Sequence, residues 1–129
     1  MARMERAQVE RWVARYEELW RSAGTDGLAE IFAPDATYLA SPWASPLDGL
    51  TAIAELWESG RTGPDESFTM TSEVVAADAG VAVVRVAVDY GEPGHERWRD
   101  LWVIHFDDAG RCVAFEEWPF APDQPDGQG

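Results

Sequence analysis

The chain has 129 residues, with 24 Asp or Glu against 10 Lys or Arg and a formal net charge of −14. A length of this order suits one domain that buries roughly two-thirds of its unfolded surface, and 46% hydrophobic residues with seven Trp argue for a folded core over disorder. The carboxylate surplus repels phosphate backbones and anionic lipid headgroups, so neither nucleic acid nor an acidic membrane is an expected partner. Cys112 is the one cysteine. It forms no internal disulfide, and its apolar strand context reads as a packed thiol suited to a reducing cytoplasm. Met1 to Glu10 lacks the apolar centre of a signal peptide, and no apolar run reaches membrane-spanning length, so a soluble cytoplasmic protein is expected.

From the N-terminus, Val9, Trp12, Val13, Tyr16, Leu19 and Trp20 recur at steps of three and four and predict a helix from about Met4 to Ser22, ended by Gly24. Thr25 or Asp26 is placed to cap a short second helix carrying Leu28, Ile31 and Phe32, which Pro34 stops. Asp35 to Ala40 reads as a short strand, and the Ser-Pro steps between Ser41 and Pro46 read as a rim loop. Asp48 is placed to cap a third helix with Leu50, Ile53, Leu56 and Trp57 on one face, broken by Gly60 and Gly63. Arg61 to Glu66 reads as a linker.

Three strands are then expected, at about Ser67 to Ala77, Val81 to Tyr90 and Glu96 to Phe106, with turns at Asp78 to Gly80 and Gly91 to Gly94. Asp107 to Gly110 turns the last of these into a fourth strand, Arg111 to Pro119. Trp98, Trp102, Phe106, Phe115 and Trp118 make this final hairpin too aromatic to stand alone, so helices must cover one face. Helices followed by an antiparallel meander predict an α+β fold with the helices on a concave sheet face. Residues 1–120 form the expected single domain, and 121–129 a loose tail.

The short helix ending in "IFAPDATY", the proline loop, the "GLTAIAELW" helix and the closing "DLWVIHFDDAGRCVAFEEWPF" together resemble the SnoaL-like branch of the nuclear transport factor 2-like superfamily, over about Val9 to Phe120. The resemblance implies a cystatin-like α+β cone, with three N-terminal helices on the concave face of a strongly curved, mostly antiparallel sheet. It also implies a pocket between sheet and helices and a homodimer through the outer sheet face. The superfamily includes ketosteroid isomerases and polyketide cyclases as well as members without known activity, so the fold leaves function open.

Against the ketosteroid isomerase pattern, Tyr16 matches the oxyanion-hole tyrosine by its spacing to Phe32. The general-base position falls on Ala40, followed by Ser41, and the protonated-acid position falls on Trp102. Steroid isomerisation by that mechanism is therefore not expected. Strand alternation anchored on the resemblance turns Trp98, Asp100, Trp102, Ile104 and Phe106 inward and Arg99, Leu101, Val103 and His105 outward, with Phe115 and Glu117 inward as well. Glu117 beside Trp102 is the leading acid/base candidate. Its alternative is a carboxylate near the sheet end, paired with Arg97 or Arg99 or solvated. Asp100 either activates water or meets a cation, and Tyr16 supplies a functional hydroxyl or a core one.

Trp20, Phe32, Tyr38, Trp43, Leu56, Trp98, Trp102 and Phe115 are the candidate ligand-binding residues, with Tyr38 and Trp43 as an aromatic rim. His95 and His105 with scattered carboxylates lack the spacing of a metal site, and Asp107 and Asp108 are turn formers, so no metal or cofactor is expected. Phosphate loops and nucleophile elbows are missing from the sequence, and Ser41 and Ser45 sit before prolines. The expected function is binding of a small apolar molecule in the cone, with isomerase, cyclase or hydrolase chemistry run by Tyr16, Asp100 and Glu117. The alternatives are a non-catalytic ligand-binding domain, or an interaction module using Leu101, Val103, His105, Ala114 and Trp118.

Overall fold

In the computed structural model the described residues are 5–60, 67–91 and 96–124. Helix α1 (Arg6–Arg21) opens with a capping box between Glu5 and Gln8 and buries Val9, Trp12, Val13 and Tyr16 along one stripe. Ser22 closes it, and Gly24 follows with a left-handed φ of 82°. Helix α2 (Leu28–Ile31) is a single turn. Two expectations fail here. Gly27, not Thr25 or Asp26, holds the N-cap position, without a side-chain hydrogen bond. Phe32 belongs not to the helix but to strand β1 (Phe32–Leu39).

Pro34 is tolerated within β1 because the pairing register shifts between Phe32 and Thr37, which leaves no ladder bond for its missing N–H. A two-residue strand β2 (Leu47–Asp48) pairs with β1, so Asp48 lies in a strand just ahead of helix α3 (Gly49–Gly60). Gly49 makes that entry at a φ of 88°, where a side chain would be strained although it would meet nothing closer than the Pro34 carbonyl at 3.6 Å. The linker expected at Arg61 to Glu66, most of the turn at Gly91 to Gly94 and the end of the tail lie outside the described residues.

The meander follows as β3 (Phe68–Asp78), β4 (Val81–Tyr90), β5 (Arg97–Phe106) and β6 (Cys112–Phe120). All six strands form one sheet in the order β2-β1-β6-β5-β4-β3, antiparallel except where β1 runs parallel to β6. At the β5–β6 turn, Asp107 Oδ1 accepts hydrogen bonds from the Ala109 and Arg111 N–H groups, each at 2.9 Å. Three helices on a mostly antiparallel sheet make the expected α+β cone.

Helix α1 lies along β3 and α3 along β1. Arg6 donates to the Val74 carbonyl near one end of α1, and Arg21 donates to the Phe68 carbonyl at the other, with its guanidinium 3.9 Å from the Phe68 ring centroid. Between them, the Trp12 indole N–H reaches the buried Ile31 carbonyl at 2.9 Å, which ties α1 to α2.

Phe115 on β6 is 1% exposed and its ring centroid lies 4.7 Å from that of Tyr38, 5.1 Å from Trp102 and 5.8 Å from Tyr16. Truncating a buried phenylalanine to alanine costs about 3–5 kcal/mol. Phe115→Ala is expected to lose a free energy of that order in urea unfolding followed by tryptophan fluorescence.

Candidate active site

A cavity of about 260 Å³ opens between the helices and the concave sheet face. Its helical wall is Tyr16 and Trp20 of α1 with Leu56 and Trp57 of α3, and its sheet wall is Trp98, Asp100 and Trp102 of β5 with Glu117 and Pro119 of β6. Tyr38 and Ala40 close the β1 side, and Met70, Val88, Phe68 and Tyr90 the β3–β4 side. Apart from Asp100, Glu117 and the tyrosine hydroxyls, this lining is apolar or aromatic.

The two carboxyls share the cavity because of a local irregularity. Between His105 and Phe106 the β5–β6 register shifts, with His105 opposite Ala114 and Phe106 opposite Cys112. The extra residue in β6 reverses the alternation, so Cys112 and Phe115 are both buried although three positions apart. Beyond the bulge, Trp102 pairs with Glu117 and Asp100 with Pro119, which makes Asp100 and Glu117 diagonal neighbours on the inner face.

Burial pushes the Glu117 carboxyl well above the usual carboxylate range, and Asp100 beside it adds to the rise through a shared proton and charge repulsion. The Trp102 indole N–H works weakly the other way, although it makes no hydrogen bond of regular geometry. Asp100 is 7% exposed, and its Oδ1 is buried without a hydrogen-bond partner. Glu117 therefore keeps its proton to higher pH than a solvated glutamate, next to a carboxyl with an unfilled acceptor.

Across the cavity, the Tyr16 and Tyr38 hydroxyls are hydrogen-bonded at 3.1 Å. Desolvation raises both phenols well above the ordinary tyrosine range, so they stay neutral donors. Two acids and two linked phenols thus face one apolar space, a set able to take a proton, return one and hydrogen-bond a developing oxyanion.

Tyr16, Asp100 and Glu117 all line this cavity, as do Trp20, Tyr38, Leu56, Trp98 and Trp102. Three other candidates do not. Phe32 and Phe115 are fully buried behind the wall, where their rings pack edge to face at 6.2 Å. Trp43 is 99% exposed in the Ser41–Ala44 turn and is no part of the cavity rim. Ala40 and Trp102, the positions without an isomerase-type acid or base, are both in the lining. Arg97 and Arg99 alternate to the exposed face of β5, away from Glu117.

Met70, Val88 and Tyr90 were not among the sequence candidates, yet alternation along β3 and β4 carries their signal: Met70 pairs with Val88 and Phe68 with Tyr90. Trp57 was marked only as a helix-face residue. His105 is exposed and His95 lies outside the described residues. Among the described residues, no group of His, Cys, Asp and Glu is placed to hold a metal ion, and no helix is long and apolar enough to cross a membrane. Cys112 is fully buried and its thiol pKa is pushed up by desolvation, which makes it a poor nucleophile.

The Glu117 shift has a stability consequence. Between its unfolded and its raised folded pKa, the folded state binds the extra proton, so stability falls as pH rises through that window and the penalty is complete above it. Glu117→Gln removes the penalty. The variant should gain stability over the parent chain at pH 8 and little at pH 4, by about 1.4 kcal/mol for each pH unit of the window. Paired thermal melts at the two pH values check this, and a gain that does not change with pH would contradict it.

The family model of the SnoaL-like domain matches residues 11–115. No curated protein is significantly similar in sequence. Among solved structures, the epoxide hydrolase/cyclase-like enzyme SalBIII of pyran ring formation in the polyether salinomycin superposes with a TM-score of 0.72 at 18% identity, over 91% of this chain and 94% of that one. A protein assigned as a polyketide cyclase from Sinorhizobium meliloti gives 0.64 at 25% identity, over 83% and 93%. A steroid delta-isomerase from Pseudomonas aeruginosa gives 0.64 at 22% identity, over 93% and 84%. With the family model spanning most of the cone, from α1 to Phe115 of β6, the chain belongs to the SnoaL-like domain family.

Proposed function

We propose that this SnoaL-like protein is an acid/base enzyme acting on a small apolar molecule in its cone, with Asp100 as proton acceptor, Glu117 as proton donor and Tyr16 as oxyanion donor. The observation that carries the reading is that both carboxyls and the Tyr16–Tyr38 pair line one apolar cavity. Asp100 takes a proton from a carbon next to a carbonyl or from an attacking hydroxyl. Tyr16, polarised by Tyr38, steadies the oxygen on which charge develops, and Glu117 returns a proton. The epoxide hydrolase/cyclase-like, cyclase and isomerase descriptions of its structural neighbours suit proton transfer at oxygenated apolar substrates. Because Ala40 and Trp102 stand at the isomerase acid and base positions, the acids here come from different places on the sheet. A cytoplasmic setting fits the single buried thiol.

Neutral epoxides and unsaturated ketones are the substrates to screen. Loss of a positioned acid or base lowers turnover about 10²–10⁴-fold, and loss of an oxyanion donor about 10²–10³-fold. Glu117→Gln and Asp100→Asn should fall in the first range and Tyr16→Phe in the second, each with an unchanged circular dichroism spectrum. Unchanged turnover in both carboxyl variants would overturn the acid/base reading.

A homodimer through the outer sheet face is the second element of the reading. Leu101 and Trp118 pair there, each more than a third exposed, with Phe120 at 46% beside them. Sedimentation velocity should give a dimer that Leu101→Glu with Trp118→Glu converts to monomer, and a parent chain monomeric at high concentration would contradict it.

A further inference from the structure

We propose that the cavity takes an apolar organic cation, a protonated amine on a hydrocarbon body, with the ammonium held by Asp100 and Glu117 and the body against the indoles around them. This rests on the cavity being the functional site and narrows it to a ligand class.

The first argument is charge. The cavity lining contains two carboxyls and, among the described residues, no Lys, Arg or His. The whole chain carries −14, so nothing in the long-range field offsets them. An anionic ligand would place a further negative group beside Asp100 in an apolar space, where charge interactions are strong. A neutral ligand leaves the acid pair without a counter-charge.

The second argument is hydrogen bonding. Asp100 is more than nine-tenths buried, and its Oδ1 is an acceptor without a donor. An ammonium group offers donors and no acceptor, which matches this wall. The buried Trp102 N–H, also without a regular partner, is a donor ready for Glu117 in its ionised form. A cation next to the pair makes that form favourable, so one ligand charge completes the partners of both buried groups.

The third argument is the wall itself. Trp20, Trp57, Trp98 and Trp102 all line the space, and indoles are the aromatic surfaces that attract organic cations most strongly. Four of the seven Trp in the chain are thus spent on one cavity. A purely hydrophobic pocket would be as well served by leucine and phenylalanine, which lack the electron-rich indole face.

The test uses three probes of one shape on the full chain: 1-adamantylmethylamine, 1-adamantylmethanol and 1-adamantanecarboxylate, titrated by calorimetry and tryptophan fluorescence. The amine is expected to bind about tenfold tighter than the alcohol, a ratio equal to one charge contact of about 1.4 kcal/mol. The carboxylate is expected not to bind. Asp100→Asn should remove the amine's tenfold advantage over the alcohol, with Glu117→Gln as a second variant should Asp100→Asn fail to fold. Equal binding of amine and alcohol, or binding of the carboxylate, overturns the cation proposal while leaving acid/base turnover of neutral substrates intact. No binding by any probe overturns the cation proposal, while the acid/base reading is decided separately by turnover of the carboxyl variants.

Discussion

Phe115 is the contact on which both the cone and its cavity depend. Its ring meets Trp12 and Tyr16 of α1, Phe32 and Tyr38 of β1 and Trp102 of β5, all at centroid separations between 4.7 and 6.2 Å. Aromatic pairs at such distances add about 0.5–1.5 kcal/mol each beyond the area they bury. One side chain from the last strand therefore joins the first helix, the first strand and the central hairpin. The parallel pairing of β6 with β1, which needs a long connection, gains its side-chain support here. Tyr16 and Tyr38 both stack on this ring, so packing brings their hydroxyls within hydrogen-bond distance.

The bulge in β6 decides what chemistry that packing surrounds. Counted by strict alternation from Cys112, the inward residues would be Ala114, Glu116 and Trp118, and Glu117 would face solvent. The extra residue near Val113 brings in Phe115 and Glu117 instead and turns Glu116 and Trp118 outward, where the Trp118 N–H donates to the Glu116 carboxylate. One irregularity thus supplies the aromatic hub, the buried acid and an apolar residue on the outer face.

Much of this was legible in the sequence. The 3.6-residue period of α1 placed Tyr16 on the buried stripe, and alternation in β5 put Asp100 and Trp102 on one face, because both signals depend on burial alone. The inward direction of Glu117 followed from alternation anchored on the family resemblance; its neighbourhood to Asp100 required the cross-strand register, which the strand sequence does not encode. Phe32 was misplaced because an apolar residue three or four positions from its neighbours satisfies both a helix stripe and a buried strand. Trp43 was misplaced because aromatic character says nothing about which way a proline loop points. Asp48, read as a helix cap, does stand directly before α3, but its place in β2 was not foreseen, since a two-residue strand leaves no periodicity to detect.

The acid pair on the cavity wall is the part of the structure that stability alone does not account for. The Glu117 carboxyl in this aromatic cavity opposes folding at neutral pH, since desolvation disfavours its charged form and the neighbouring Asp100 adds to the cost of ionising it. No salt bridge compensates them among the described residues, whereas surface acids such as Glu17, Glu30 and Glu73 each have an arginine. A chain with 24 acidic residues has ample surface for two more. Leucine and glutamine in these places would fill the wall with less penalty. Residues that weaken a fold while facing a cavity are often found at sites of binding or proton transfer, and here they lie beside two neutral phenols and the Trp102 indole N–H.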